Sequence, residues 1–332
     1  MPPVPLTSRR GRHAAEPSGL HGAVPSLDAL LRLRGAARQL SWTAHRRVRS
    51  SGAGTRASRF RGRGIDFAEV RGYEPGDDVR HIDWRVTART GRAHTKIYQE
   101  ERERPVLVVA DLGPSSFFGT RRRLKSVAVV ELASLLLWRA FEDGDRVGAI
   151  VRGVDGHEAF RPRKARDTVL RIQHRLLAAC EALAERCAAG RATREETAEG
   201  FGLADALVQA RRVARPGTTV VIVSDFADGA ALADDGELRR SLQRIGRHCD
   251  VDAVLVSDPF ERELPAGDVY PLSDGRRRVL LDTAPEGTRR GWRDAHRERA
   301  RRVSEVVLGA RGRVLEAGTE DDLERLLGGW LR

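Results

Sequence analysis

The chain has 332 residues, and its 59 lysines and arginines against 47 aspartates and glutamates give a net charge of +12. The length allows two modest domains, and 40% apolar with 32% charged residues is typical of a soluble globular protein. Three cysteines without a C-x-x-C pair exclude a disulfide framework or a zinc knuckle and favour a reducing compartment.

The N-terminal region is basic and contains one predicted helix. Residues 1–25 are Pro-rich and are expected to form a disordered leader. Ser26 is a predicted N-cap, and leucines at near-helical spacing predict a helix up to about residue 49. A Gly/Ser/Arg linker follows over residues 50–63, so residues 26–63 are a helix and a basic linker.

The charge of the same region bears on whether nucleic acid is a partner. Residues 1–60 hold eleven arginines and two carboxylates, a net charge of +9, and such an arm can attract nucleic acid by releasing counterions. However, 56 of the 59 cations are arginine, and biased codon usage explains them without a ligand. Nucleic acid therefore stays an alternative partner and is not the expected one.

Two segments with different sequence patterns follow. Apolar and polar residues alternate over 65–73 and 94–99, which predicts a small β-rich segment over residues 64–104. From residue 105 to 332, apolar strands alternate with amphipathic helices, which indicates a doubly wound α/β domain with a mostly parallel sheet. The predicted strands are 106–110, 146–151, 158–163, 218–223, 251–256 and 313–316, with a hairpin over 269–281. The predicted helices are 124–141, 166–189, 203–214, 238–248, 289–308 and one from residue 321.

Carboxylates follow two of these strands. Asp111 ends the first strand, and Asp225 comes directly after the strand 218–223. With a strand order of the 3-2-1-4-5 kind, both face the crevice where ligands bind in doubly wound sheets. Together with Ser115 they are hard oxygen ligands suited to Mg²⁺. In the alternative interpretation, these side chains cap the next turn or helix.

The usual catalytic signatures are not met. No lysine follows a glycine-rich loop, so no nucleotide site of the P-loop kind is expected, and neither a zincin motif nor a nucleophile elbow is complete. No organic cofactor is indicated. No apolar run reaches the roughly 18 residues that a membrane span requires, and no signal peptide is visible. We expect a non-enzymatic cytoplasmic protein with no membrane span, with a metal-assisted hydrolase at Asp111, Ser115 and Asp225 as the rival.

A long motif carries a family resemblance. Residues 64–84, GIDFAEVRGYEPGDDVRHIDW, and the following Ala88-Arg89 resemble the signature of the family called domain of unknown function 58. The resemblance continues through the Asp111 loop to residues 258–265 and covers about residues 30–332. It implies a von Willebrand factor A-like fold and a protein-binding or adaptor role beside a MoxR-type AAA+ ATPase, in protein remodelling or complex maturation.

The resemblance also implies a metal-ion-dependent adhesion site that is degenerate here. Factor A-type domains hold Mg²⁺ with an Asp-x-Ser-x-Ser loop, a threonine and a further aspartate. Asp111, Ser115 and Asp225 match this pattern, whereas the middle serine is Gly113 and the threonine segment is Gly-Phe-Gly-Leu over residues 200–203. Three of five ligands remain, so Mg²⁺ binding is expected to be weakened or lost unless waters replace the two hydroxyls. If Mg²⁺ binds, an open coordination position can accept an acidic residue of a partner, which would make the association Mg²⁺-dependent.

Charged residues alternate in the signature segment. They invite charge-assisted hydrogen bonds that fix a turn-rich stretch, and Trp84 is expected to anchor the segment on the larger domain. The network either holds the shape of the segment or forms the surface that a partner recognises. The residues concerned are Arg71, Asp77, Asp78, Arg80, Asp83, Trp84 and Arg89.

Overall fold

The protein divides into two compact units. The computed structural model describes residues 23–42, 65–74, 77, 79–100, 104–190, 202–227, 236–273 and 278–332. One unit comprises Met1–Arg46 and Pro105–Arg332, and the other comprises Arg47–Arg104. The N-terminal helix α1 (Leu27–Gln39) thus belongs to the unit of the large sheet. The leader up to residue 22 and the linker 50–63 lie outside the described residues.

The smaller unit is built on one antiparallel strand pair. Strand β1 (Ile65–Gly72) pairs with β2 (His94–Glu100), as the alternation predicted. Between them lies a short helix, α2 (Trp84–Thr90), which sequence analysis did not predict. Asp83 caps it by accepting hydrogen bonds from the backbone N–H groups of residues 85 and 86, and Gly91 ends it with a left-handed φ of 69°.

A six-stranded sheet forms the centre of the larger unit. Its strands are β3 (Val106–Asp111), β4 (Val147–Gly153), β5 (Gly156–Arg163), β6 (Thr219–Ser224), β7 (Asp250–Ser257) and β10 (Val314–Gly318). The order across the sheet is β5-β4-β3-β6-β7-β10, and only β5 is antiparallel to its neighbour. Counting these six strands along the chain, the order is 3-2-1-4-5-6. The predicted doubly wound class is confirmed, and the switch point lies between β3 and β6.

Helices cover both faces of this sheet. After α2 they are α3 (Lys125–Glu142), α4 (Arg166–Ala188), α5 (Leu203–Val213), α6 (Glu237–Gly246), α7 (Pro259–Arg262), α8 (Glu286–Gly309) and α9 (Leu323–Trp330). Alternate residues of β3 enter two separate hydrophobic clusters, because successive strand side chains point to opposite faces. One cluster includes α1, α3, α4 and α9, and the other includes α5, α6 and α8. Strands β8 (Val269–Ser273) and β9 (Arg278–Asp282) form a separate hairpin.

The end of α1 corrects one prediction. The leucine periodicity predicted a helix to about residue 49, but α1 ends at Gln39 and Leu40 is extended, with ψ 153°. Arg139 of α3 explains the stop, because its Nη1 donates to the carbonyl oxygens of Ala37 at 3.0 Å and Leu40 at 2.9 Å. These bonds satisfy carbonyls that a longer helix would have bonded internally.

The length and polarity of the helices can be compared with what a membrane span requires. In the ranges that the structure describes, every helix is too short or too polar to cross a bilayer.

Candidate functional site

The three predicted metal ligands come together at the carboxyl edge of the sheet. Asp111 ends β3, and Asp225 follows β6, its neighbour in the sheet. Ser115 Oγ donates to Asp225 Oδ1 at 3.2 Å, and Ser224 Oγ donates to Asp111 Oδ2 at 2.6 Å. Both carboxylates are buried. The structure therefore brings these residues to the same edge of the sheet, beside the switch point between β3 and β6.

A buried lysine occupies the crevice beside Asp225. Lys125 is the first residue of α3, and its side chain is 1% exposed. Its ammonium donates to Asp225 Oδ2 at 2.7 Å and to Glu261 Oε1 at 2.9 Å. Burial acts to lower the pKa of Lys125, but the two carboxylates outweigh it and raise the pKa above its ordinary value. The Lys125 side chain is therefore protonated at neutral pH.

The same pair keeps Asp225 ionised. Burial acts to raise the pKa of Asp225, but the charge and hydrogen bond of Lys125 and the hydroxyl of Ser115 lower it overall. The loop after β6 is tight, because Phe226 has a left-handed φ of 45° although it is not a glycine. Its N–H donates to Ser224 Oγ at 2.9 Å, which fixes the turn that carries Asp225.

An arginine from the neighbouring strand neutralises Asp111. The parallel register of β3 and β4 places Asp111 opposite Arg152, and Nη1 of Arg152 donates to Asp111 Oδ1 at 2.6 Å. Burial acts to lower the pKa of Arg152, and the charge of Asp111 raises it overall. Each predicted metal-binding carboxylate therefore has its own buried protein cation.

A third carboxylate at this edge, Asp258, holds the surrounding loops. It follows β7 and accepts four hydrogen bonds: from the N–H and Oγ1 of Thr120 at 2.9 and 2.5 Å, from Thr319 Oγ1 at 2.6 Å and from the N–H of Phe260 at 3.0 Å. Burial acts to raise the pKa of Asp258, but these donors lower it overall. Asp258 thus ties the loop after β3 to the loop after β10.

An aromatic cluster lies next to the Lys125 pair. Phe260 packs against Tyr270 of β8 and Trp292 of α8 with ring centroids 5.1 and 6.2 Å apart, and against Phe118 at 6.2 Å. Lys125 Nζ lies 5.9 Å from the centroid of the Phe118 ring. The indole N–H of Trp292 donates to the Phe260 carbonyl at 2.9 Å. These contacts attach the β8–β9 hairpin and α8 to the carboxyl edge.

The buried His296 of α8 makes the stability of this region depend on pH. Burial and the nearby charges of Arg299, Arg262 and Lys125 lower the pKa of His296 to about 4. The unfolded chain binds a proton at this histidine below about pH 6.5, whereas the folded chain stays neutral down to about pH 4. We expect the free energy of unfolding to fall by about 3 kcal/mol between pH 6.5 and 4 through this group. Denaturant unfolding across this range should show a flatter profile for His296→Gln; an unchanged slope would contradict the assignment.

The charged network of the signature segment is present in part. Arg71 Nη2 donates to Asp77 Oδ1 at 2.7 Å, and Asp77 Oδ2 accepts from the N–H of Glu74 at 3.0 Å. The Glu74 N–H and the charge of Arg71 lower the pKa of Asp77 although desolvation opposes them. Asp83 caps α2 as described above. Asp78 lies outside the described residues.

The exposed residues of the segment include its tryptophan. The side chains of Arg80 and Arg89 are exposed. Trp84 is 69% exposed and Val79 is also exposed. Trp84 is the first residue of α2, and no residue of α2 is buried.

Four residues at the carboxyl edge were not predicted as site residues. They are Lys125, Arg152, Asp258 and Glu261. Lys125 carried a usable signal, because it is one of only three lysines in a chain that otherwise uses arginine. Arg152 carried another, since a cation near the end of an apolar strand must find a buried partner. The remaining segment of interest, residues 200–203, is described only from Gly202, the N-cap of α5.

Solved structures with some similarity include two bacterial proteins. One is the conserved hypothetical protein BatB from Bacteroides thetaiotaomicron, with 13% identity, 68% of this chain and 95% of that chain covered, and a TM-score of 0.41. The other is a von Willebrand factor type A protein from Catenulispora acidiphila, with 12% identity, 72% and 43% coverage, and a TM-score of 0.35.

Two mycobacterial proteins have a higher sequence identity to this chain than these solved structures. The uncharacterized proteins Rv1480 of Mycobacterium tuberculosis and Mb1516 of Mycobacterium bovis are each 30% identical over 269 residues, which cover 80% of this chain and 77% of the relative. The family described as protein of unknown function DUF58 matches residues 69–302, from β1 into α8. The chain therefore belongs to the DUF58 family.

Proposed function

We propose that the protein is a non-enzymatic binding protein that acts as an adaptor for a MoxR-type AAA+ ATPase in protein remodelling or complex maturation. The ATPase partner is proposed from the resemblance of the signature segment. Three free thiols, Cys180, Cys187 and Cys249, support a reducing compartment and hence the cytoplasm.

The chemistry of the crevice favours binding over catalysis. A general base needs a lone pair directed at a substrate, and a catalytic metal needs an open coordination position. Here Asp225 is held by Lys125 and Ser115, and Asp111 by Arg152 and Ser224. These bonds oppose the metal-assisted hydrolase that we considered as the rival. The basic arm of the nucleic-acid alternative lies mostly outside the described residues.

The observation that carries the proposal is the placement of exposed apolar side chains. Large hydrophobic side chains that are more than half exposed mark interaction surfaces when they gather on one element. Among the described residues, five of the six such side chains lie on the signature segment or on the β8–β9 hairpin. The six are Val79, Trp84, Val269, Val279, Leu280 and Leu308.

Trp84 is the strongest candidate contact. Tryptophan is enriched among the residues that dominate binding energy, and Trp84 is a 69% exposed tryptophan within the family signature. The neighbouring Arg71–Asp77 ion pair and the Asp83 cap then hold the shape of the segment, while Trp84 meets the partner.

We expect Trp84→Ala to weaken binding of the MoxR-type ATPase from the same host by at least about tenfold, because a central tryptophan contributes on the order of 2 kcal/mol or more. The measurement is surface plasmon resonance with the two purified proteins. Leu308→Ala is the matched control, since Leu308 is 63% exposed but lies on α8. Unchanged affinity of Trp84→Ala, or equal loss in both variants, would contradict the proposal.

A further inference from the structure

The factor A resemblance implies a magnesium ion held by Asp111, Ser115 and Asp225, and the residues around this crevice do not fit one. Magnesium prefers oxygen ligands at about 2.1 Å in a near-octahedral arrangement. Within the part of the chain that the structure describes, no three His, Cys, Asp or Glu side chains converge in a way that holds a metal ion. The reasons lie in the cations that surround the carboxylates.

Lys125 already occupies the electrostatic position of an ion beside Asp225. Its ammonium is 2.7 Å from Asp225 Oδ2, so an ion on that oxygen would lie within about 5 Å of a buried positive charge. The other oxygen, Oδ1, accepts from Ser115 Oγ and from the N–H of Ala227, both at 3.2 Å. The hydroxyl that a metal would use is thus bonded to the carboxylate itself.

Arg152 fills the space of the missing serine. A β-carbon built on Gly113 would lie 2.0 Å from Arg152 Nη1 and 2.9 Å from its Cζ, so a serine at this position requires the guanidinium to move from its place on Asp111. Gly113 and Arg152 are therefore coupled, because a side chain at position 113 would need the space that the guanidinium takes. The guanidinium that neutralises Asp111 therefore lies in the space next to Gly113 where the factor A pattern has a serine side chain.

The charges around the crevice balance without a metal. Asp111, Asp225 and Glu261 supply three negative charges, and Lys125 and Arg152 supply two positive charges in direct hydrogen bonds. Arg299 of α8 adds a third, with Nη2 3.9 Å from Glu261 Oε1. A divalent ion would add two further positive charges directly beside these buried cations, which is unfavourable in a poorly solvated interior.

We propose that the ammonium of Lys125 and the guanidinium of Arg152 take the place of the divalent ion, so that Asp111 and Asp225 hold no Mg²⁺. This inference goes beyond the adaptor role and does not depend on it, because it concerns the crevice and the test uses the isolated protein. Lys125 is too deeply buried to meet a partner's carboxylate, so the crevice has a structural role and partner recognition lies elsewhere.

The test is titration of the purified full chain with MgCl2 and MnCl2, followed by calorimetry and thermal unfolding. A salt control of equal ionic strength corrects for screening. At about 10 mM MgCl2 we expect no saturable heat and a change in Tm below about 1 °C relative to that control. A saturable heat together with a rise in Tm, both lost in Asp225→Ala, would overturn the proposal.

A second variant tests the substitution directly. Gly113→Ser, Lys125→Ala and Arg152→Ala combined remove both cations and restore the hydroxyl of the loop. This variant should gain a Tm that rises with Mg²⁺ concentration, because a ligand that binds only the folded state stabilises it. A folded triple variant that does not respond to Mg²⁺ would overturn the claim that these two cations stand in place of the ion. The wild-type titration decides the question whether or not the triple variant folds.

Discussion

Lys125→Met is expected to lower the free energy of unfolding by about 3 to 5 kcal/mol, because removal of one partner leaves buried charges uncompensated. Asp225 and Glu261 both lose the ammonium of Lys125, and Asp225 is buried. Methionine retains most of the length and apolar contacts of the lysine stem, so the change isolates the charge. The measurement is urea denaturation at pH 7, with the midpoint and slope compared to those of the wild type.

Two further variants provide a control and a rescue for this result. Lys164→Met removes an exposed lysine and should change stability by no more than about 0.5 kcal/mol. Adding Asp225→Asn to Lys125→Met should restore part of the loss, because one uncompensated carboxylate is then neutral. If Lys125→Met were as stable as Lys164→Met, the ion pair would not be a principal support of the carboxyl edge.

Asp258→Ala should cost about 3 kcal/mol, because a buried ionised acceptor with several donors contributes more than a neutral hydrogen bond. The substitution leaves the backbone N–H and the hydroxyl of Thr120 and the hydroxyl of Thr319 without their acceptor. It also removes the cap of α7, where the N–H of Phe260 donates to Asp258. Thermal and urea unfolding measure the loss, and hydrogen exchange of residues 113–123 should accelerate.

Asp322 provides the matched control for Asp258. It also caps a helix, α9, where it accepts a hydrogen bond from the N–H of Arg325 at 3.1 Å at an exposed position. Asp322→Ala should therefore cost about 1 kcal/mol, the ordinary effect of a lost N-cap. Equal losses in the two variants would show that Asp258 is a simple cap and does not join the loops of the edge.

The fold was predictable because its signals are local. Continuous apolar strands such as β3 and amphipathic helices such as α4 have distinct periodicities, and their alternation is compatible with few topologies. The end of α1 was not predictable, since it depends on the guanidinium of Arg139, about one hundred residues away. Helix α2 was missed because seven residues give too little periodicity.

The candidate site was predictable only on its acidic side. The pattern of strands and helices in the sequence marks Asp111 and Asp225 as following two strands. The doubly wound order then places those two strand ends next to each other. The positive side requires side-chain positions, because Lys125 reaches Asp225 from α3 and Arg152 reaches Asp111 through the register of β3 and β4. The exposure of Trp84 has the same origin: an aromatic residue in a motif predicts importance, whereas burial depends on the packing of α2.

The most direct test of the account is a crystal structure of the full chain grown in the presence of MnCl2, with anomalous scattering data collected to locate manganese. We predict no anomalous peak between Asp111 and Asp225, with the Lys125 ammonium within hydrogen-bond distance of Asp225 and the Arg152 guanidinium on Asp111. A manganese peak bound to both aspartates, with Lys125 turned away, would contradict the central claim that the protein's own cations close this crevice.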